Sequence, residues 1–315
     1  MNPAQIRAAH ARIAPHLRKT PVMQIEAGAL GLPAALTSGI TLKLELLQHA
    51  GSFKPRGALN RMLSAQAAGQ LPVAGVIAAS GGNHGAAVAW AAQRLGVRAE
   101  IFVPTIASPA KVERIRGYGA TAYVGGANYA EALAASTQRA QASGALVVHA
   151  YDQPETIAGQ GTVALEWEEQ APALDTVLIA CGGGGLVAGV AAWYGGRVKV
   201  VAVEPEGCPT LHTAQRAGTP VDVDVSGLAA DSLGARRVGE LAFGIAQRFI
   251  APAVLVSDAA IRAAQAALWR EIRIAAEPGG AAALAALLPG AYVPQRGERI
   301  GVLVCGGNLD VATLG

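Results

Sequence analysis

The chain has 315 residues, 52% apolar and only 15% charged, with a formal net charge of +3. That hydrophobicity excludes a disordered chain, and the length suits one large or two medium domains. The small charge gives no footprint for nucleic acid or an anionic membrane.

The N-terminal stretch is basic and lacks acids until Glu26; Ile6, Ile13 and Leu17 give it a helical stripe that Pro21 closes soon after Thr20. Residues 41–46 alternate polar and apolar as a half-buried strand does. Residues 75–79 form a short apolar strand, followed by a Gly-rich loop and a helix over 86–95. Strands are predicted at 100–104, 120–124 and 145–151, with helices at 109–116 and 129–142 between them. Later strands are predicted at 176–180, 198–203 and 300–305, with a helix at 259–272. The uncharged stretch 176–196 is long enough to cross a membrane, but it contains four glycines in a row, so strand, loop and helix are expected. Strands alternating with helices imply a mostly parallel sheet covered on both faces, with ligands held in loops beyond the carboxyl ends of the strands. Cys181, Cys208 and Cys305 are odd in number and show no C-x-x-C, which argues against a disulfide scaffold or zinc site and for a reducing compartment.

Four loops carry the chemistry. In residues 50–57 (AGSFKPRG), Lys54 sits among small and apolar neighbours at a helix start. A lysine confined in apolar surroundings sheds its proton near neutral pH and becomes an amine able to form a Schiff base, although a surface lysine is the plainer reading of that loop alone. Residues 78–85 (AASGGNHG) lie between a strand and a helix, where backbone N–H groups suit a carboxylate or phosphate. Ser80 and Asn83 add side-chain donors there, and His84 fits either acid–base or structural duty. The loop also nearly matches a hydrolase elbow, with His149 or His212 as base. Residues 180–188 (ACGGGGLVA) make an anion cradle suited to a phosphate, and the missing G-K-[ST] excludes a Walker-type triphosphatase. Gly183, Gly185 and Ala188 also satisfy G-x-G-x-x-A, with Glu204 ending the next strand, so an NAD-dependent oxidoreductase stands as an alternative. Residues 304–308 (VCGGN) put Cys305 at the ligand edge of the sheet, or bury it as a small hydrophobe.

Taken in order, these loops resemble the serine/threonine dehydratase family of pyridoxal-phosphate enzymes, which share the tryptophan synthase β-like fold, fold type II. Residues 52–58 resemble its S-F-K-x-R-G-A motif, 80–85 its S-x-G-N-H-G loop, 182–185 its tetraglycine loop and 305–308 its closing S/C-G-G-N. Residues 18–21 (RKTP) and 276–282 (AEPGGAA) also fit, so the resemblance covers nearly the whole chain. It implies two α/β domains, each an open parallel sheet in three layers. Residues 1–50 and 148–315 would form the large cofactor-binding domain and residues 51–147 a small mobile substrate-binding domain. It implies pyridoxal 5'-phosphate held as a Schiff base by Lys54, which later acts as base at the substrate Cα. Phe53 would pack on the ring and Asn83 would bond the phenolic oxygen. Gly182, Gly183, Gly184, Gly185 and the amide of Leu186 would hold the phosphate, and Cys305 would face the pyridine nitrogen. Ser80, Gly81, Asn83 and His84 would grip the substrate carboxylate.

The implied reaction is α,β-elimination on L-threonine or L-serine, giving a 2-oxo acid and ammonium. A thiol at Cys305 is a weak donor that leaves the pyridine nitrogen neutral, which favours expelling a β-hydroxyl over returning a proton. Serine racemases of this family carry a serine where this chain has Gly81, so dehydration is expected, with serine racemase and hydroxyaspartate dehydratase as alternatives. Members with a divalent cation use E-P-x-x-x-x-D; Glu204 and Pro205 are present but Thr210 replaces the Asp, so no metal is expected. The chain ends before any regulatory domain, so feedback inhibition is not expected. A small amino-acid substrate, a homodimer, a cytoplasmic location and no nucleic-acid or membrane partner complete the expectation.

Overall fold

The structure is a computed structural model that describes residues 1–26, 28–32, 39–288 and 290–314. Its strands, in chain order, are β1 (Val22–Ile25), β2 (Ile40–Leu44), β3 (Val76–Ala79), β4 (Ala99–Val103), β5 (Thr121–Val124), β6 (Leu146–Val147), β7 (Thr176–Ala180), β8 (Lys199–Pro205), β9 (Ile250–Val256) and β10 (Ile300–Val304). They make two sheets, one in the order β1-β2-β10-β7-β8-β9 and one in the order β5-β4-β3-β6. Every pairing is parallel except β1 with β2. The expected architecture of two α/β domains with open parallel sheets is therefore the one observed. β7, apolar from Val177, and β10 are buried along their whole length, as parallel strands covered on both faces must be.

Each sheet gathers its own core. Leu42, Leu178, Val201 and Leu303 pack around the larger sheet, and Leu59, Val88, Ile101 and Ile115 around the smaller. Ile13 and Ala50 pack with the smaller sheet's cluster although they precede residue 51 in the chain.

Local chemistry moved several boundaries. The first helix (Pro3–Ile13) opens on a capping box between Asn2 and Gln5 and stops well short of Thr20. Pro15 supplies no N–H, so Ala14–His16 tightens into a 3-10 turn and Leu17 falls outside the helix. The strand expected at 145–151 shrinks to β6. Val148 N–H still reaches the Ile77 carbonyl at 3.0 Å, but His149 N–H turns to Gln153 Oε1 at 2.9 Å. The helix expected from Ala86 begins at Asn83, so the end of the AASGGNHG loop forms its first turn. The uncharged stretch resolves into β7, a loop and the helix Gly185–Tyr194; no helix among the described residues is long and apolar enough to cross a membrane.

β2 is buried on both faces rather than one, including Lys43. The reason is an ion cluster. Lys43 Nζ donates to Glu166 Oε1 at 2.5 Å, to the Thr20 carbonyl at 2.8 Å and to Gln170 Oε1 at 2.7 Å. Arg56 grips Glu45 with two bonds of 2.8 and 2.7 Å and reaches Glu166 Oε2 at 3.1 Å. Burial alone would lower the Arg56 pKa, but Glu45 and Glu166 outweigh it and hold the guanidinium charged. Arg56 opens the helix Pro55–Ala67, two residues after Lys54, so the cluster anchors the lysine loop to β2 and to the helix Pro154–Gln170. Removing one member strands a buried charge. Glu166→Ala is expected to cost about 3–5 kcal/mol. Glu113→Ala, which breaks only an exposed pair with Arg116, should stay within about 0.5 kcal/mol. Denaturant midpoints of the two variants test the contrast.

Candidate active site

The lysine loop is pinned against the end of β10. Phe53 N–H donates to the Cys305 carbonyl at 3.1 Å, and Ser52 bridges Gly306. Lys54 then starts its helix and lines a pocket shared with the glycine loop, Asn83 and Cys305. Lys54 Nζ donates to the Ala150 carbonyl at 2.9 Å. Burial lowers its pKa to about 8, while Cys305 and Glu277 nearby pull it up. Cys305 Sγ donates to the Gly279 carbonyl at 3.4 Å, and burial pushes the thiol up, so it stays protonated.

The glycine loop lies across this pocket. A Cβ on Gly183 would stand 2.4 Å from the Tyr151 ring, and one on Gly185 would stand 2.5 Å from the Tyr151 carbonyl. Gly184 has φ +88°, a left-handed conformation that side chains rarely adopt. The chain here has no room for side chains, and the four glycines and the amino end of the helix Gly185–Tyr194 line the pocket, a setting that suits an anion.

Asn83 completes the lining from the smaller sheet's side. Its Nδ2 donates to Glu277 Oε1 at 2.5 Å. Burial raises the Glu277 carboxyl to about 7, against the pull of the Asn83 amide. Phe53, Lys54, Asn83, the four glycines, Leu186 and Cys305 are thus brought together in one pocket.

The rest of the AASGGNHG loop stands differently. Ser80 Oγ accepts from Gly82 N–H at 3.1 Å. Gly81 backs onto Ala107, whose Cβ would lie 2.8 Å from a Cβ at position 81. The His84 ring bonds the Val148 carbonyl at 2.8 Å, and burial holds its pKa down at about 3, so it stays neutral. His149 Nδ1 accepts the N–H groups of Tyr151 and Asp152, and His212 Nδ1 lies 3.2 Å from the Ala253 carbonyl; neither is hydrogen-bonded to Ser80, whose Oγ takes the Gly82 N–H.

Glu204 corrects the oxidoreductase alternative. It is wholly buried and accepts Leu211 and His212 N–H at 2.8 and 2.7 Å, capping the helix Thr210–Ala217 instead of facing a nucleotide ribose. Thr210 Oγ1 donates to the Ala235 carbonyl at 2.9 Å. Among the described residues no three His, Cys, Asp or Glu side chains gather as metal ligands. The three cysteines are free and buried.

Tyr151, Ser232, Leu233 and Glu277 also line the pocket. Of these, only Glu277 carried a signal in the sequence, through the AEPGGAA run. Tyr151 carries no motif, and only the packing of its ring on Gly183 identifies it.

A buried amine that sheds its proton near pH 8, sharing a pocket with four glycines packed too closely for any Cβ, fits a phosphorylated aldehyde. That combination on two open parallel sheets defines a fold-type II pyridoxal-phosphate enzyme. The chain belongs to the pyridoxal-phosphate dependent enzyme family, whose model matches residues 13–306. It is 38% identical over 280 residues to a phenylserine dehydratase of Ralstonia pickettii, covering 88% of this chain and 85% of that one. It is 39% identical over 297 residues to the biosynthetic L-threonine dehydratase of Salmonella typhimurium, covering 92% of this chain but 56% of that one. The structure of maize serine racemase superposes with a TM-score of 0.91 at 33% identity, covering 99% of this chain and 95% of that one.

Two outcomes are expected at this site. Borohydride-trapped attachment of pyridoxal phosphate to Lys54 in cofactor-free protein should rise with pH around a midpoint of about 8, well below the ordinary lysine value of 10.5. Gly183→Ala should weaken cofactor binding by at least about tenfold, read by absorbance titration, because the loop must retreat from Tyr151.

Proposed function

We propose that this enzyme is an L-threonine/L-serine ammonia-lyase, removing the β-hydroxyl and amino groups to give a 2-oxo acid and ammonium. Bound pyridoxal phosphate supplies an electron sink joined to the substrate nitrogen. In this reading the amides of Gly182, Gly183, Gly184, Gly185 and Leu186 hold the phosphate, and Asn83 turns an N–H to the phenolic oxygen. Phe53 packs beside the ring. Lys54 Nζ carries the cofactor and, as a neutral amine, takes the substrate Cα proton. Ser80 Oγ and the N–H groups at the start of the helix Asn83–Leu95 grip the substrate carboxylate. His84 contributes through its backbone, since its ring is committed to Val148. The Cys305 thiol keeps its proton and sets no negative charge against the pyridine nitrogen.

The observation that supports elimination over racemisation is Gly81. A racemase needs a proton donor on each face of Cα, and Gly81 has no side chain to serve the second. Ala107 occupies the space where one would start. The likeness to threonine and phenylserine dehydratases supports the same outcome, and the likeness to maize serine racemase names the competing one.

The test is 2-oxo-acid release by the holoenzyme from L-threonine, L-serine, L-phenylserine and the 3-hydroxyaspartates, with the D-amino acids assayed in parallel. Release from threonine or serine is expected, and Lys54→Ala should lose both turnover and the borohydride-sensitive yellow colour. Release confined to phenylserine or a hydroxyaspartate would keep elimination and change the substrate. D-amino acids without 2-oxo acid would overturn the reading.

A further inference from the structure

Asn308 ends the VCGGN loop, and nothing above gives it a task. Its side chain is held from two directions by groups that each play one part. Arg114, on the helix Pro109–Gly117, can only donate, and its Nη1 donates to Asn308 Oδ1. The Ala50 carbonyl can only accept, and it takes Asn308 Nδ2–H at 2.8 Å. The Asn308 amide is thereby fixed with its oxygen toward Arg114 and its nitrogen toward Ala50. The space is tight as well, since a Cβ on Gly51 would lie 2.1 Å from Asn308 Oδ1.

The second N–H of Asn308 Nδ2 goes to Asn83 Oδ1 at 2.7 Å. Asn83 must therefore present its oxygen to Asn308 and its nitrogen to Glu277 Oε1. Turning Asn83 over would set two NH₂ groups against each other at one end and two oxygens at the other. The four side chains form a relay in which every donor points the same way, from Arg114 through Asn308 and Asn83 to Glu277. Among the described residues, no group takes the second N–H of Asn83 Nδ2, and Asn83 lines the pocket.

We propose that Asn308 is a positioning residue that fixes the amide polarity of Asn83, so that Asn83 shows the pocket a donor and never its carbonyl. The inference rests on the functional reading in which Asn83 meets the cofactor's phenolic oxygen. That oxygen accepts, and a flipped Asn83 would oppose it with a second acceptor.

The experiment uses the holoenzyme and the Asn308→Asp variant, which keeps the shape and the partner of Arg114 but loses both donors. Asn83 should then turn its NH₂ toward the new carboxylate and its oxygen toward the cofactor. The expected results are cofactor binding weakened about tenfold and a cofactor absorption band whose pH midpoint moves up by about one unit. In an Asn83→Ala background the same substitution should add nothing to either readout. A folded Asn308→Asp with unchanged band and affinity would overturn the proposal, as would equal shifts in the Asn83→Ala background, which mark a merely structural role. If Asn308→Asp does not fold, Asn308→Ser keeps one donor and should move the band in the same direction by less; an unmoved band overturns the proposal. A wild-type protein that takes up no pyridoxal phosphate would instead sink the functional reading itself.

Discussion

Two cations and two carboxylates sit out of water beneath the lysine loop, and their balance underlies the geometry above them. Lys43, Glu45, Arg56 and Glu166 are each no more than 3% exposed. Any one of them alone at that depth would carry a desolvation cost of several kcal/mol. Together they sum to zero charge, and the remaining valences are filled by the Thr20 backbone and hydroxyl, Thr162 and Gln170. Such a cluster is a poor source of net stability but a strict template, because only one arrangement satisfies every member. It ties the N-terminal segment, the end of β2, the helix Pro55–Ala67 and the helix Pro154–Gln170 into one register. It holds Lys54 in place, while the Lys54 pKa is set by burial, Cys305 and Glu277.

The pocket above follows the opposite rule and keeps formal charge low. His84 stays neutral, the Cys305 thiol keeps its proton, and Lys54 and Glu277 titrate at about 8 and about 7. Each shift has the same leading cause, the loss of water around the group. A site built this way leaves its directed dipoles, the glycine-loop amides and the Asn83 amide, as the strongest fixed features. A doubly charged phosphate entering there meets donors aimed at it and no competing carboxylate among the four glycines. The polarity of those dipoles then matters, since a misdirected one would set like against like at low local dielectric.

The parts of this site legible in the sequence were those made by local chain geometry. Four glycines between β7 and a helix pointed to a close backbone approach, and Pro55 set Lys54 at a helix start, although that loop alone read more plainly as a surface lysine and its burial comes from the packing of Cys305 and its neighbours. The large division of the fold was legible for a similar reason, because a period of alternating strands and helices is written along the chain. What the sequence withheld depends on neighbours far apart in number. Tyr151 is identified only by its packing on Gly183, and Lys43 reads as the polar face of a strand until Glu166 arrives from 123 residues away. Glu204 showed the reverse failure. Its position fitted a ribose ligand, but two consecutive N–H groups at a helix start, those of Leu211 and His212, needed an acceptor first.

Pro15 and Gly81 make the same point at the scale of one residue. The stripe of Ile6, Ile13 and Leu17 was real in its first two members, both fully buried, yet one missing N–H at Pro15 outweighed the third. Gly81 is conspicuous in the sequence only by comparison with a serine, whereas in the structure it is a contact: Ala107, Val103 and Pro104 have closed over it. A Cβ restored there would lie 2.8 Å from the Ala107 Cβ and 3.1 Å from Val103 Cγ1, closer than side chains normally pack, so those neighbours would have to shift. The missing side chain and the filled space are thus one feature of the fold, and restoring a side chain at position 81 asks for movement of Ala107 and Val103 as well as a substitution.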